Sequence, residues 1–440
     1  MSSLLIRGGT VLTMNDRFDV VKGDVFVSDG RIAQIGRVDA PARATTLDAS
    51  GALVLPGLIQ THIHLCQTLF RGYADDLALI DWLRTRIWPM EAAHTPASLR
   101  ASVRLAACEL LSSGTTSVLT METVHDTEAV FEEVAATGLR AVIGKCLMDA
   151  DAAVPPRLLQ PARTAIDESL DLHRRWDGAA GGRIRAAFAP RFAVSCSQGL
   201  LEEVGSLSSS RGVLVHTHAS EQQAEIAIVE RQTGRRNLEY FEAIGLASER
   251  LCVAHCVWVD EREQDILASR RVKVLHCPGS NLKLGSGLAP VVEFRRRGIS
   301  VSLGADGAAC NNRLDMFEEM RLAAVLQSIR LGPGALPARD VVWMATREGA
   351  RALGMEREIG SLEPGKRADL IVVNLDRPHL VPGPDPYSTM VYAARGADVR
   401  HTVVDGRVLV RDSRPVHLDP AEVAATARAE AAALFSRAGI

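Results

Sequence analysis

Leu55-Pro56-Gly57-Leu58-Ile59-Gln60-Thr61-His62-Ile63-His64 is an apolar run that closes on two histidines, and the chain repeats that design further on. Val213-Leu214-Val215 leads into His216-Thr217-His218-Ala219-Ser220-Glu221, and Leu251-Cys252-Val253-Ala254 into His255. Val274-Leu275 precedes His276, and Val301-Ser302-Leu303-Gly304-Ala305 precedes Asp306. Short runs of Val, Leu, Ile and Ala read as buried parallel strands. Polar, metal-competent side chains at the carboxyl ends of successive strands are where a (β/α)8 barrel keeps its chemistry.

Eight strands are expected, near 58–64, 114–120, 140–146, 183–190, 212–218, 251–256, 273–277 and 301–306. Helical patterns at 97–112, 127–137, 222–233 and 316–328 lie between them, which implies βα units. A doubly wound open sheet is the alternative, but no Gly-rich phosphate turn follows the first strand. Both ends of the chain read differently. Leu4–Gly9, Val25–Val27 and Arg31–Gly36 at one end, and Ala368–Val373 and Val403–Val410 at the other, look like antiparallel hairpins with Gly or Asp-Gly turns. The expected organisation is a composite β-sandwich of residues 1–57 plus 365–440 around a barrel of residues 58–364, with an Ala/Glu-rich helix within 416–440.

The 440 residues are 47% hydrophobic and 23% charged, ordinary for a globular protein, and a net charge of -3 offers no footprint for nucleic acid or a membrane surface. No apolar run approaches the roughly 20 residues of a membrane span, and the first residues lack the sections of a signal peptide. A cytoplasmic location is therefore expected. The eight cysteines sit largely in apolar runs without paired metal-ligand spacing and read as free structural thiols.

His62 and His64 are two apart on one strand, so both leave the same face. His218 also closes a strand and shares its face with His216, so either can complete a ligand set. Asp306 adds an anionic oxygen. Three imidazoles and a carboxylate suit one Zn(II), or Fe(II), with room for water, whose pKa the ion lowers toward neutrality. Glu221, three residues past His218, can reach the same cavity as a proton shuttle; its competing reading is a first-turn helix acid. His255 fits a polarising or substrate-orienting role better than a fifth ligand. His276 is either a substrate contact or a structural hydrogen-bonding residue beneath Cys277-Pro278-Gly279-Ser280-Asn281.

Taken together, Leu-Pro-Gly-Leu-Ile-x-x-His-x-His, His-x-x-Glu, Ala-His-Cys, His-Cys-Pro-Gly-Ser-Asn-Leu-Lys-Leu-Gly, Asp-Gly-Ala and the closing Gly-x-Leu-Glu-Pro-Gly-Lys-x-Ala-Asp-Leu resemble the amidohydrolase superfamily, in its deaminase and chlorohydrolase branch. The resemblance runs essentially end to end. It implies that His62, His64, His218 and Asp306 hold one divalent metal, favours His218 over His216, and assigns Glu221 to proton transfer. Binuclear relatives carry a carboxylated lysine at the end of the fourth strand; here that strand ends Ala187-Phe188-Ala189-Pro190-Arg191 and Lys145 closes the third, so a single metal is expected. The family also favours a homo-oligomer.

Within the branch two resemblances compete. The stretch from His276 to Asn312, with Asp75-Asp76, Trp82 and Trp88-Pro89, is similar to deaminases of S-adenosylhomocysteine, methylthioadenosine and 5′-deoxyadenosine. Gln67, three after His64, and Arg191, in Pro-Arg-Phe-x-x-Ser-Cys, resemble instead the base-contacting positions of guanine and 8-oxoguanine deaminases. An Arg and an amide can read a ring carbonyl and its neighbouring nitrogen. The expected reaction is accordingly hydrolytic release of ammonia from an oxo-purine or pterin base, with Asp306 accepting the water proton, Glu221 protonating the ring nitrogen and His255 orienting the attack. Deamination of 5′-modified adenosines is the second reading, displacement of chloride from an s-triazine a third, and a non-catalytic scaffold the remotest. The competing reading for Arg191 is a salt bridge at the barrel mouth, and for Gln67 a loop hydrogen bond.

Overall fold

A computed structural model describes residues 3–39, 41, 43–150 and 154–440. The eight apolar runs form eight parallel strands in chain order: β1 Leu58–Ile63, β2 Thr115–Met121, β3 Arg140–Leu147, β4 Ile184–Pro190, β5 Val215–Ala219, β6 Leu251–His255, β7 Lys273–His276 and β8 Val301–Leu303. Nearly every strand residue is buried, because one face fills the barrel and the other lies under helices. The seam between β8 and β1 is joined by Thr61, whose hydroxyl donates to the Leu303 carbonyl at 2.9 Å, and by the Asp306 amide, which donates to the His62 carbonyl at 3.0 Å. Gly304 permits this approach: a Cβ there would stand 2.6 Å from the His62 carbonyl oxygen. The protein is thus a (β/α)8 barrel with a β-sandwich built from both chain ends.

Local chemistry sets the helix boundaries. Helix Pro96–Ser112 starts at a capping box between Thr95 and Ser98 with Pro96 in the first turn, and helix Thr127–Thr137 stops at Gly138 in the left-handed region (φ 88°). Helix Met316–Leu331 is capped by Asp315, which accepts from the Phe317 amide at 2.9 Å. The terminal helix spans Pro420–Ala438, capped by Asp419.

The sandwich sheet has nine strands. Its two halves meet where Ala52–Pro56 pairs antiparallel with Leu370–Asn374, so residues some 300 positions apart close one core containing Ile6, Val25, Val54, Val372 and Val403. The pairing is not antiparallel throughout. Strand Ser3–Leu12 runs parallel to both Thr45–Asp48 and Ala52–Pro56, because the intervening hairpin at Val20–Gly36 returns the chain in its original direction.

Barrel and sandwich are tied by a buried ion pair. Arg140, at the start of β3, donates from Nε and Nη2 to the two carboxylate oxygens of Asp369 at 2.6 and 3.0 Å, and the Asp405 amide donates to the same carboxylate at 2.7 Å. Removing one partner strands a buried charge. We therefore expect Asp369→Ala to destabilise the fold by about 3–5 kcal/mol, read from denaturant unfolding; a loss below about 1 kcal/mol would show that water reaches Arg140. Among the described residues no helix is long and apolar enough to cross a membrane. All eight cysteines are free and buried, as expected.

Candidate active site

The carboxyl ends of β1, β5, β6 and β8 bring His62, His64, His218, His255, Glu221 and Asp306 together, and all of these but His62 line one cavity. His62 and His64 project from the same face of β1, ring centroids 4.9 Å apart, and His218 brings its ring to 4.7 Å from His62. Asp306 Oδ1 stands 3.2 Å from His62 Nε2 and 3.3 Å from His64 Nε2, and His218 Nε2 is 3.4 Å from His64 Nε2.

The outer nitrogens explain why these inner ones converge as lone pairs. His64 Nδ1 donates to the Met121 carbonyl at 2.8 Å and His218 Nδ1 to the Arg191 carbonyl at 2.6 Å. His62 Nδ1 meets His216 Nε2 at 2.7 Å. For His64 and His218 the outward N–H fixes the tautomer that leaves Nε2 unprotonated toward the centre. His62 Nε2 is buried with no hydrogen-bond partner among the described residues. Burial lowers the His62 pKa to about 4 and holds His218 well below its usual value. Burial alone would raise Asp306, but the adjacent His62 and His64 hold it well below the usual carboxylate range. Neutral imidazoles, an anionic oxygen and an orphaned buried nitrogen fit a divalent cation. One ring nitrogen each of His62, His64 and His218 lie within 4.8 Å of one another, and His62, His255 and Asp306 form a second group of this kind, so either could hold an ion.

Glu221 and His255 complete the arrangement. Glu221 Oε2 lies 3.6 Å from His255 Nε2, which is 3.9 Å from Asp306 Oδ2. Burial raises the Glu221 pKa, so the carboxyl can carry a proton nearer neutrality. Burial opposes charge on His255 too, but the carboxylates of Glu221 and Asp306 outweigh it and raise its pKa. Ser220 (φ 54°), His255 (73°) and Asp306 (64°) adopt positive φ here, a cost that functional sites commonly carry.

Several supporting residues went unread in the sequence. Asn281 Oδ1 accepts from His255 Nδ1 at 2.8 Å, and Ser280 donates to Asp306 Oδ2 at 2.7 Å. Both lie in the quoted loop after His276, which was the available signal. Glu225 accepts from the Glu221 amide at 2.9 Å. Glu91, two residues beyond the quoted Trp88-Pro89, was not read as a site residue, yet it holds both Arg191 and Gln67.

That residue bears on the expected base readers. Arg191 Nη1 and Nη2 donate to Glu91 Oε2 and Oε1 at 2.6 and 3.2 Å, and Gln67 Nε2 donates to Glu91 Oε1 at 2.9 Å. The guanidinium and the amide are thus engaged by an internal carboxylate. Arg191 still lines the cavity, as do Leu79, Trp82, Leu83, Phe192 and Leu284, whereas Gln67 is fully buried outside that lining. His276 also lies outside it, buried, with neither ring nitrogen partnered among the described residues, and burial lowers its pKa to about 3.

Comparison with known proteins agrees with this architecture. The model of the amidohydrolase family matches residues 53–409, so the chain belongs to that family. It is 42% identical over 435 residues to a 5′-deoxyadenosine deaminase of Methanothermobacter thermautotrophicus, covering 98% of this chain and 99% of that one. It is 41% identical over 441 residues to a 5-methylthioadenosine/S-adenosylhomocysteine deaminase of Symbiobacterium thermophilum, covering 99% of each. Among solved structures, a zinc-bound adenosine deaminase from Xanthomonas campestris superposes with a TM-score of 0.92 at 33% identity, covering 99% of both chains.

These relatives overturn the expectation of an oxo-purine or pterin base. End-to-end similarity at about two in five residues points to 5′-modified adenosines, the second of the two substrate readings. The expectation leaned on Gln67 and Arg191 as free readers of a ring carbonyl. Sequence could not show that Glu91, 24 residues from Gln67 and 100 from Arg191, takes hydrogen bonds from both.

Proposed function

We propose that the protein is a metal-dependent aminohydrolase that converts 5′-modified adenosines to the corresponding inosines with release of ammonia. The observation that carries the reading is the end-to-end similarity to deaminases of that substrate class, and the acid, imidazole and histidine cluster of the cavity supplies the groups the reaction needs. In this reading His62, His64, His218 and Asp306 would hold one divalent ion, zinc before iron, and the chemistry it would supply is a lowered pKa for the water that attacks the ring carbon bearing the amino group. Glu221 donates a proton from its cavity-facing oxygen to the ring nitrogen beside that carbon, so the ring accepts the developing charge. Asp306, its Oδ2 steadied by Ser280, accepts the proton that the water gives up and passes it to the amino group, so that the carbon–nitrogen bond breaks and ammonia leaves. His255, held by Asn281 with Nε2 toward both carboxylates, orients the attacking oxygen. The apolar wall of Leu79, Trp82, Leu83, Phe192 and Leu284 accepts the purine face and excludes water. A reducing compartment suits eight free thiols, which supports the cytoplasm, and we take the assembly to be a homo-oligomer.

Ammonia release from 5′-deoxyadenosine, methylthioadenosine, S-adenosylhomocysteine, guanine, 8-oxoguanine and a pterin, with chloride release from an s-triazine alongside, tests the substrate class. We expect kcat/KM for at least one 5′-modified adenosine to exceed that for every other compound by about 10²-fold or more. Efficient turnover of an oxo-purine, a pterin or the triazine alone would reject the proposal.

A further inference from the structure

The Glu221 carboxyl is held by a directed chain of hydrogen bonds from a segment that sequence reading passed over. Gln222 Nε2 donates to the Leu284 carbonyl at 3.0 Å and to Ser286 Oγ at 3.3 Å, and Ser286 Oγ donates to Glu221 Oε1 at 2.9 Å. An amide nitrogen can only donate. The serine oxygen therefore accepts from Gln222, and its single proton points at Glu221. Ser286 itself is 1% exposed, so no bulk water competes for that hydroxyl.

The segment has little freedom to move. Gly285 and Gly287 flank Ser286 with φ of 64° and 125°, a backbone that other residues rarely adopt, and a Cβ on Gly287 would press on Val257 and Trp258 at 3.0 and 3.2 Å. Trp258 Nε1 donates to the Ser286 carbonyl at 2.6 Å. At its other end Glu221 is fixed by its own amide, which donates to Glu225; Asn237 Nδ2 in turn donates to the second Glu225 oxygen. Backbone and one carboxylate oxygen of Glu221 are thus both tethered, while Oε2 alone faces His255 and the cavity.

We infer that Ser286, aimed by Gln222, is a positioning residue that occupies Glu221 Oε1 as an acceptor, so that the transferable proton of Glu221 resides on Oε2, toward the substrate. This rests on the deaminase reading, since it gives Glu221 a proton to deliver. A serine hydroxyl that already donates to Oε1 makes that oxygen the weaker base of the two. The oxygen favoured for protonation is then Oε2, the one toward His255 and the cavity. Ser286 would touch neither substrate nor metal and would act on the rate through Glu221 alone.

The test is a double-mutant cycle on the aminopurine nucleoside that the wild-type protein turns over best, with metal content and melting temperature measured for each variant. Ser286→Ala should lower kcat roughly tenfold, the scale of one hydrogen bond to an ionisable group, with KM changed less than about twofold. Combined with Glu221→Gln it should have almost no further effect, because the residue it serves can no longer deliver a proton. Gln222→Leu, which frees the serine hydroxyl to rotate, should lower kcat by a smaller factor and serves as the reporter if Ser286→Ala does not fold. Full kcat in Ser286→Ala, or in Gln222→Leu where that is the reporter, overturns the inference while leaving the deaminase reading in place. So does a tenfold loss that persists undiminished in the Glu221→Gln background, or a loss that follows metal content. Ammonia release by the wild-type protein from none of the nucleosides overturns both.

Discussion

Glu221→Gln is expected to bind metal as fully as the wild-type protein and to lose about 10²-fold or more in kcat, the scale of a general acid–base contribution. The substitution preserves shape. The amide oxygen can still accept from Ser286, and the amide nitrogen can still offer a hydrogen bond toward the cavity. What it cannot do is give up a proton. Glu221 is 5% exposed, so water has poor access as a substitute donor. Steady-state turnover of a 5′-modified adenosine, alongside metal analysis, checks the expectation. Unchanged turnover would leave Glu221 as an acid at the entry to helix Gln223–Thr233 and remove it from the chemistry.

His218→Ala is expected to abolish both metal binding and activity. His218 presents Nε2 to the centre because its Nδ1 is committed to the Arg191 carbonyl, whereas His216 uses its Nε2 on His62 Nδ1. To replace His218 as a ligand, His216 would have to abandon its 2.7 Å contact with His62 Nδ1, which holds the His62 ring in place. His216→Ala should therefore keep the site but weaken metal affinity by about 10–100-fold, the usual effect of removing a residue that orients a ligand. Titration of metal into the apo forms separates the two cases. Full occupancy and full turnover in His218→Ala would make His216 the ligand and invert the assignment.

The contrast between the two histidines shows where sequence stopped. Period-two spacing on a strand places His216 and His218 on one face and offers no choice between them. The choice lies in what stands behind each ring, a backbone carbonyl for one and another imidazole for the other. Such partners are brought up by neighbouring strands, and nothing within three residues of either histidine encodes them. Glu91 makes the same point more sharply. It sits in the short helix Trp88–Ala92, a hundred residues before Arg191, and no local pattern announces that it will pair with that guanidinium. The reading of Arg191 and Gln67 as carbonyl receptors came from their own neighbours in sequence, and the expectation of an oxo-purine followed from it.

The sequence by itself determined the barrel, the sandwich from both ends, and the polar residues that close the barrel strands. Those features are local: an apolar run of strand length, a capping residue, a turn glycine and a polar residue at the run's end each act over a few positions and repeat along the chain. Only the tertiary structure decided the tautomers of the histidines, the capture of Arg191 and Gln67 by Glu91, and the Gln222–Ser286–Glu221 chain. Each of these depends on a hydrogen bond between groups that meet only when the barrel closes, and hydrogen bonds are settled by tenths of an ångström that no spacing in the sequence records.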